Sequence, residues 1–478
     1  MALLNGVLVT LLAEGLVDLD AVGGHVDGLD ELVAHLGRWS VERAADESGI
    51  DAEAIRTLAR TIAAAQSCTI AWTMGVNHSA QGTHTVTLIN TLCLLTGHVG
   101  RPGSSPFSIT GQCNAMGTRE AGFTASMPGY RAYDDPAQRD ELAALWGIDE
   151  ARLPAARGRA YPDIVDGVVE GRIRGLWIIA TNPPVSFPHR ERLEEALRGL
   201  DLLVVQDGFA TPTTALADVV LPAAIWGEKD GTYTNSERRA SRVRAAVAPP
   251  GEARTDFAIV LDLAERWGCR DELFPGWTGP EDAFAEWRRI SAGRPCDYSG
   301  MTWERIDAAG GVQWPCPAGD PDVPLGGTPR LYADRRFNRL GGRAMVHPVE
   351  PEPIRDAPGG GYPFLLNTGR TVEHWHTRTK TGRIAILEGL SPEAWVEVHP
   401  DDAAALGVVS GDLVRVRSRR GEVDRLRVRV TAIGSRGEVF IPFHWDERCV
   451  NRLTDDQFDP ISREPNYKQC AVAIEPLR

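Results

Sequence analysis

Apolar residues recur at helical spacing over residues 28–36, 51–65, 83–97, 189–200 and 255–268, and the pattern predicts a helix over each. Between them lie short continuous apolar runs: CTIAWT (68–73), GLWIIA (175–180), DLLVVQ (201–206) and ADVVLP (217–222). Runs that do not alternate suit a parallel sheet buried on both faces, so the layering is α/β. The segment WGEKDGTYTNSERRASRV (226–243) mixes charges and, taken alone, reads as a solvated turn and strand. Residues 315–361 are rich in Pro and Gly and read as a linker. Beyond it the period changes. FLLN, AWVEVH, DLVRVRS, RLRVRV and EVFIP are short strands, several alternating apolar with Arg or Glu, and predict an all-β domain, a barrel, over 362–478. The first residues, MALLNGVLVTLLAEGLVD, are apolar at helical spacing but carry no helix-start signal, as though the chain enters in the middle of a helix. Glu14 and the lack of a basic leader argue against a signal peptide.

Composition narrows the function classes. A chain of 478 residues is too long for one ordinary core. The net charge of −14 argues against nucleic acid or an anionic membrane as the main partner, so any bound anion needs a local cationic pocket. No apolar run approaches the ~20 residues a membrane span requires. The eight Cys, at 68, 93, 113, 269, 296, 316, 449 and 470, contain no CxxC, and so encode neither a zinc ribbon nor an iron–sulfur run. Scattered thiols in a large chain suggest a reducing, cytoplasmic setting.

Candidate chemistry gathers in loops. In open α/β sheets ligands lie beyond the carboxyl ends of strands, and three strands here run into MGVNHSAQGTH, TNPPVS and DGFATPTT. Their small residues admit a ligand to the backbone, Asn182 offers an amide, and Asp207 can accept from a ring N–H or a ribose hydroxyl. The Gly-rich stretch 100–122 matches neither a dinucleotide fingerprint nor a Walker loop, but could bend around a flat ligand with Gln112, Asn114 and Arg119 pointing inward. TGRTVEHWHTRTKTGR (368–383) sets two His, a Trp, five Thr and four cations against one Glu. His374 and His376 could share a strand face and bind a metal, yet no acidic or Cys companion stands in register. A cradle for an anion and a ring fits this stretch better, with PFHW (442–445) and EPNYKQ (464–469) supplying a similar mixture.

MGVNHSAQGTHTVTLINTLCLLTGHVGRPGSSPFSITGQCNAMGTREAG, WIIATNPPVS, VVQDGFATPTTALADVVLPAAIWGEKDGTYTNSERR, TGRTVEHWHTRTKTG and DPISREPNYKQCAV resemble the molybdopterin oxidoreductases of the dimethyl-sulfoxide-reductase superfamily. Among these the chain is most similar to catalytic subunits of bacterial assimilatory nitrate reductases. The pattern GQ-x-NAMG-x-RE favours that group over the formate dehydrogenases of the same superfamily. Cys113 stands where the family commonly has Pro.

The resemblance implies Rossmann-like parallel-sheet domains, incomplete relative to the family, followed by a C-terminal β-barrel of double-psi type. It divides the chain into part of an α/β cofactor-binding domain (1–112), a second α/β domain (113–315) with an inserted segment near 226–252, a linker (316–361) and a dinucleotide-binding barrel (362–478). It implies a bis-molybdopterin guanine dinucleotide cofactor, with Gly75, Asn77, Asn182, Asp207, Thr211 and Thr213 at the guanosine and phosphate portions. Thr368, Gly369, Arg370, Trp375, His376, Thr377 and Thr379 would grip pterin and phosphates, helped by His444, Asn466, Tyr467 and Lys468. Gln112 and Arg119 would line the substrate funnel.

The implied reaction reduces nitrate to nitrite by oxygen-atom transfer to molybdenum, in the cytoplasm, with electrons from a ferredoxin, a flavodoxin or an NADH-linked reductase subunit. Family members begin with a further segment that holds a 4Fe–4S cluster and the Cys ligand of molybdenum. The expectation is therefore a truncated chain, a mis-assigned start or one half of a split enzyme with a separate N-terminal partner. Formate oxidation and a non-catalytic pterin-dinucleotide carrier are the alternative readings.

Overall fold

The computed structural model describes residues 1–455 and 457–477. The chain divides into two compact units that interleave along the sequence. One comprises Met1–Thr73, Thr87–Gly158 and Ala223–Val349; the other comprises Met74–Val86, Arg159–Pro222 and Glu350–Arg478.

In the first unit the helices Ala2–Ala13, Leu29–Leu36, Val41–Ser48 and Ala52–Ala64 pack around Val7, Leu8, Leu11, Leu32, Ala44 and Ile55. The helix Ala2–Ala13 has no side-chain cap, as its sequence indicates, and is held instead by its buried face; the Asn5 amide donates to the Val349 carbonyl at 3.0 Å. Thr69–Trp72 and Ser105–Ser108 form a parallel pair. A second core, around Ala240, Tyr298, Met301, Val312 and Trp314, underlies an antiparallel sheet of Gly231–Thr234, Arg239–Val243 and Val312–Gln313. The segment expected to be a solvated turn and strand is therefore a hairpin whose Ala240 and Thr234 are buried. Arg242 of this hairpin lies over the Trp303 ring at 3.4 Å, a packing that the mixed charge of the segment alone could not show.

The Pro- and Gly-rich stretch is anchored rather than slack. Cys316, Ala344, Val346, Val349 and Asp356 are buried. Gly327 (φ +81°) lies so close to Gln313 that an added Cβ would stand 1.9 Å from its carbonyl oxygen.

The second unit holds a parallel sheet, Gly175–Ile179, Leu202–Asp207 and Val219–Pro222. The helices Tyr161–Val169 and Arg190–Arg198 cover one of its faces through Val165, Val168, Leu193 and Leu197. The expectation of burial on both faces fails here: Ile179, Leu202 and Val219, which share the other face, are 47%, 46% and 41% exposed. The barrel closes in the order Phe364–Gly369, Glu438–Pro442, Trp395–Val398, Glu422–Val430, Leu413–Arg417, Cys470–Pro476. Its alternation is the one the sequence shows: Leu366, Val396, Val414, Val416, Leu426 and Ile441 fill the interior, while Arg415, Arg427 and Arg429 point outward. No helix among the described residues is long and apolar enough to cross a membrane.

Candidate functional site

A cavity of about 210 Å³ in the second unit opens beside the carboxyl end of the barrel strand Phe364–Gly369. Thr368, Arg370, His376 and Lys468 line it, with Tyr467, Phe443, His78, Thr181, Ser186, Phe187, Asn451 and Glu464. The strand ends here because two turns converge on it. The Thr368 hydroxyl donates to the Tyr467 carbonyl (2.6 Å), and the Lys468 ammonium donates to the Thr368 carbonyl (2.5 Å). Burial, and then Arg370 nearby, lower the Lys468 pKa to about 8. Gly369 keeps this turn tight: a Cβ there would stand 2.7 Å from the Phe440 ring.

The imidazoles are fixed in tautomer by their partners. Arg370 can only donate, so its 3.0 Å contact makes His376 Nε2 an acceptor and puts the ring proton on Nδ1. His444 Nε2 accepts from the Thr371 N–H (2.8 Å), and its Nδ1–H donates to the His376 carbonyl (2.6 Å). Burial, with the neighbouring cations, lowers both pKa values to about 4, so both rings are neutral at pH 7. His376 sits at φ +46°, backbone strain of the sort found at binding sites. His374 is turned into the protein, its Nε2 donating to the Ser391 carbonyl (2.7 Å) and its Nδ1 facing the Thr381 hydroxyl (3.2 Å). The two histidines, weighed from sequence as a metal pair and set aside in favour of an anion cradle, are committed to different hydrogen bonds.

A polar chain joins three loops. The Thr213 hydroxyl donates to Asn182 Oδ1 (2.8 Å), Asn182 Nδ2 donates to Thr377 Oγ1 (3.1 Å), and Thr377 meets Thr379 (3.0 Å). Thr181, the residue before Asn182, lines the cavity. Other expected residues serve the loops. Thr211 pairs with Thr214 in a local turn, Asp207 accepts from the Phe209 N–H, and Asn466 braces the Gln469 carbonyl. Trp375 lies outside the cavity lining, 41% exposed, with the Arg370 guanidinium 4.9 Å from its ring centroid. Gly75 and Asn77 lie in a one-turn helix, Met74–Asn77, and the side chain that reaches the cavity from this loop is His78. Sequence reasoning passed over His78, although it adjoins Asn77 in a quoted loop. Its ring lies 4.7 Å from that of Tyr467, and its Nε2 is 3.1 Å from Glu464. Gln112 and Arg119 belong to the first unit, both exposed, Gln112 just before the short helix Ala115–Glu120 and Arg119 in its last turn.

The donors suit a phosphate-bearing ring. Among the described residues Arg370 has no carboxylate partner, and Glu464 is the one acid in the cavity lining. A model of the family described as "Molybdopterin oxidoreductase" matches residues 33–266, and one described as "Molydopterin dinucleotide binding domain" matches residues 364–471. The chain is 38% identical to a nitrate reductase of Synechocystis sp. over 493 aligned residues, covering all of this chain and 67% of that protein.

The chain belongs to the molybdopterin oxidoreductase family.

An F420-dependent formate dehydrogenase subunit alpha of Methanocaldococcus jannaschii is 37% identical, with 99% of this chain and 68% of that protein covered. The chain thus spans about two thirds of the length of these relatives. In fold it is similar to acetylene hydratase from Pelobacter acetylenicus, with a TM-score of 0.74 at 19% identity, over 100% of this chain and 70% of that one. The fold class expected from the sequence, parallel α/β layers followed by a closed barrel, is the fold this molybdopterin oxidoreductase has. The dinucleotide-binding match begins at the strand that leads into the cavity.

Proposed function

We propose that this molybdopterin oxidoreductase acts in the reduction of nitrate to nitrite, and that the cavity of the second unit holds part of a molybdopterin guanine dinucleotide. The observation that carries the cofactor reading is the pair of cations Arg370 and Lys468 beside a space that suits a pterin edge or a phosphate rather than a whole dinucleotide. Lys468 and Arg370 would meet phosphate charge, Arg in a bidentate fork. Neutral His376 would border the ring. The joined Thr213, Asn182 and Thr377 would hold the loops that face the nucleotide. Bound molybdenum supplies the two-electron oxygen-atom transfer. The chain's own work is to bind, orient and offset charge. Gln112 and Arg119, on one exposed segment, are the residues proposed to meet the oxyanion. An electron-donor protein and a cytoplasmic setting belong to the same reading.

Formate oxidation is the second reading, favoured by a relative almost as similar as the nitrate reductase. The two are separated by turnover of molybdenum-loaded protein. Nitrate-dependent oxidation of reduced methyl viologen supports the first. Formate-dependent reduction of benzyl viologen without nitrate turnover contradicts it.

A further inference from the structure

Glu120 ends the six-residue helix Ala115–Glu120, directly after Arg119, and none of its surface is exposed. The Tyr298 hydroxyl donates to its Oε2 at 2.5 Å and Trp314 Nε1 donates to its Oε1 at 2.7 Å. The Tyr298 oxygen in turn lies 2.6 Å from Thr234 Oγ1. At the other end of the helix, Asn114 Oδ1 accepts from the Thr234 N–H at 2.8 Å. One residue of the strand Gly231–Thr234 therefore grips both ends of one short helix. The Glu120 carbonyl also accepts from the Gly129 N–H at 2.8 Å, tying the helix to the loop that holds Tyr130 at φ +59°.

A buried carboxyl is an expensive way to hold a helix against a core, since an apolar side chain would do so without desolvating an acid. Desolvation outweighs the two donated hydrogen bonds and the nearby Arg238, and raises the Glu120 pKa to about 7. Six residues are also too few to form a stable helix without tertiary support. A guanidinium carried on a frayed turn would have to be ordered when an anion binds, and on a clamped turn that ordering is already done.

We propose that Glu120 is a positioning residue: through Tyr298 and Trp314, with Asn114 on Thr234, it fixes the helix so that Arg119 is presented in one orientation to an oxyanion. This rests on the reading that Arg119 meets the substrate. A purely structural Glu120 would lower stability when replaced and leave anion affinity alone.

The experiment uses the full chain as Glu120→Ala, Glu120→Gln and Tyr298→Phe; the last keeps the carboxyl and serves if the first does not fold. Phenylglyoxal modification of Arg119 is followed by peptide mass spectrometry across a nitrate titration, and the KM–kcat split is measured on molybdenum-loaded protein. In the wild type, nitrate slows modification of Arg119. In Glu120→Ala and Tyr298→Phe the protecting concentration and the KM rise about tenfold while kcat stays within about twofold, and Glu120→Gln falls between. Wild-type protection with unchanged protection and KM in folded variants overturns the proposal and leaves the Arg119 reading standing. A fall in kcat alone overturns it as well. Absence of protection in the wild type overturns the Arg119 reading, and this proposal with it.

Discussion

Two side chains carry titrations that can be read from outside. The Lys468 amine, lowered by burial to about 8, is charged at pH 7 and largely neutral at pH 9. Its attraction for a phosphate is thus present below pH 8 and lost above it. Calorimetric titration of the chain with GDP should show weaker binding at pH 9 than at pH 7, with the difference removed in Lys468→Met. Equal affinity at both values would take Lys468 out of the anion site. Glu120 moves the other way, from 4.5 up to about 7. Between those values the folded state keeps a proton that the unfolded state has released. The stability it contributes is fully present below pH 4.5 and gone above pH 7, a swing of about 3 kcal/mol. Urea unfolding at pH 5 and pH 8 should show that loss in the wild type and a smaller one in Glu120→Gln.

Elements fix where these side chains stand, and Gly327 tests one such placement. It lies at φ +81° with the Gln313 carbonyl where a Cβ would go. Gly327→Ala should therefore destabilise the first unit by more than about 1 kcal/mol, through strain and displaced backbone. An unchanged midpoint in thermal unfolding would show that the stretch is not anchored there.

The elements were largely legible in the sequence. The runs that predicted strands at 175–180 and 201–206 became Gly175–Ile179 and Leu202–Asp207, and the Arg-alternating segments became barrel strands with Leu426 and Val428 inside. Buried faces impose a period, and a period survives in the chain. Cys470–Pro476, the strand that closes the barrel, is a continuous apolar run of the kind read as strands at 175–180 and 201–206, and was overlooked beside the alternating segments of the barrel. The bonds linking Thr213, Asn182 and Thr377 join residues 31 and 195 positions apart, and no local pattern encodes such separations. His78 and Glu120 were missed for the same reason. Each takes its role from partners far along the chain: Glu464 for the one, Tyr298 and Trp314 for the other.

At the scale of the molecule, a chain of net charge −14 gathers Arg370, Lys468 and their hydroxyl neighbours around one cavity with a single acid among the described residues of its lining. That local reversal of sign is the physical core of the account, since an anionic ligand can be held here only by working against the global field. Family membership gives the protein a pterin dinucleotide cofactor, and we propose that its phosphate or pterin edge lies against these cations. The most direct measurement is the guanine nucleotide released by acid from protein purified out of a host that makes the molybdenum cofactor, in the wild type and in the double variant Arg370→Met, Lys468→Met. The account predicts bound guanine nucleotide in the wild type and about a tenfold lower content in a folded double variant, from the loss of two charge-assisted contacts. No guanine nucleotide in the wild type, or the same content in both proteins, would contradict it.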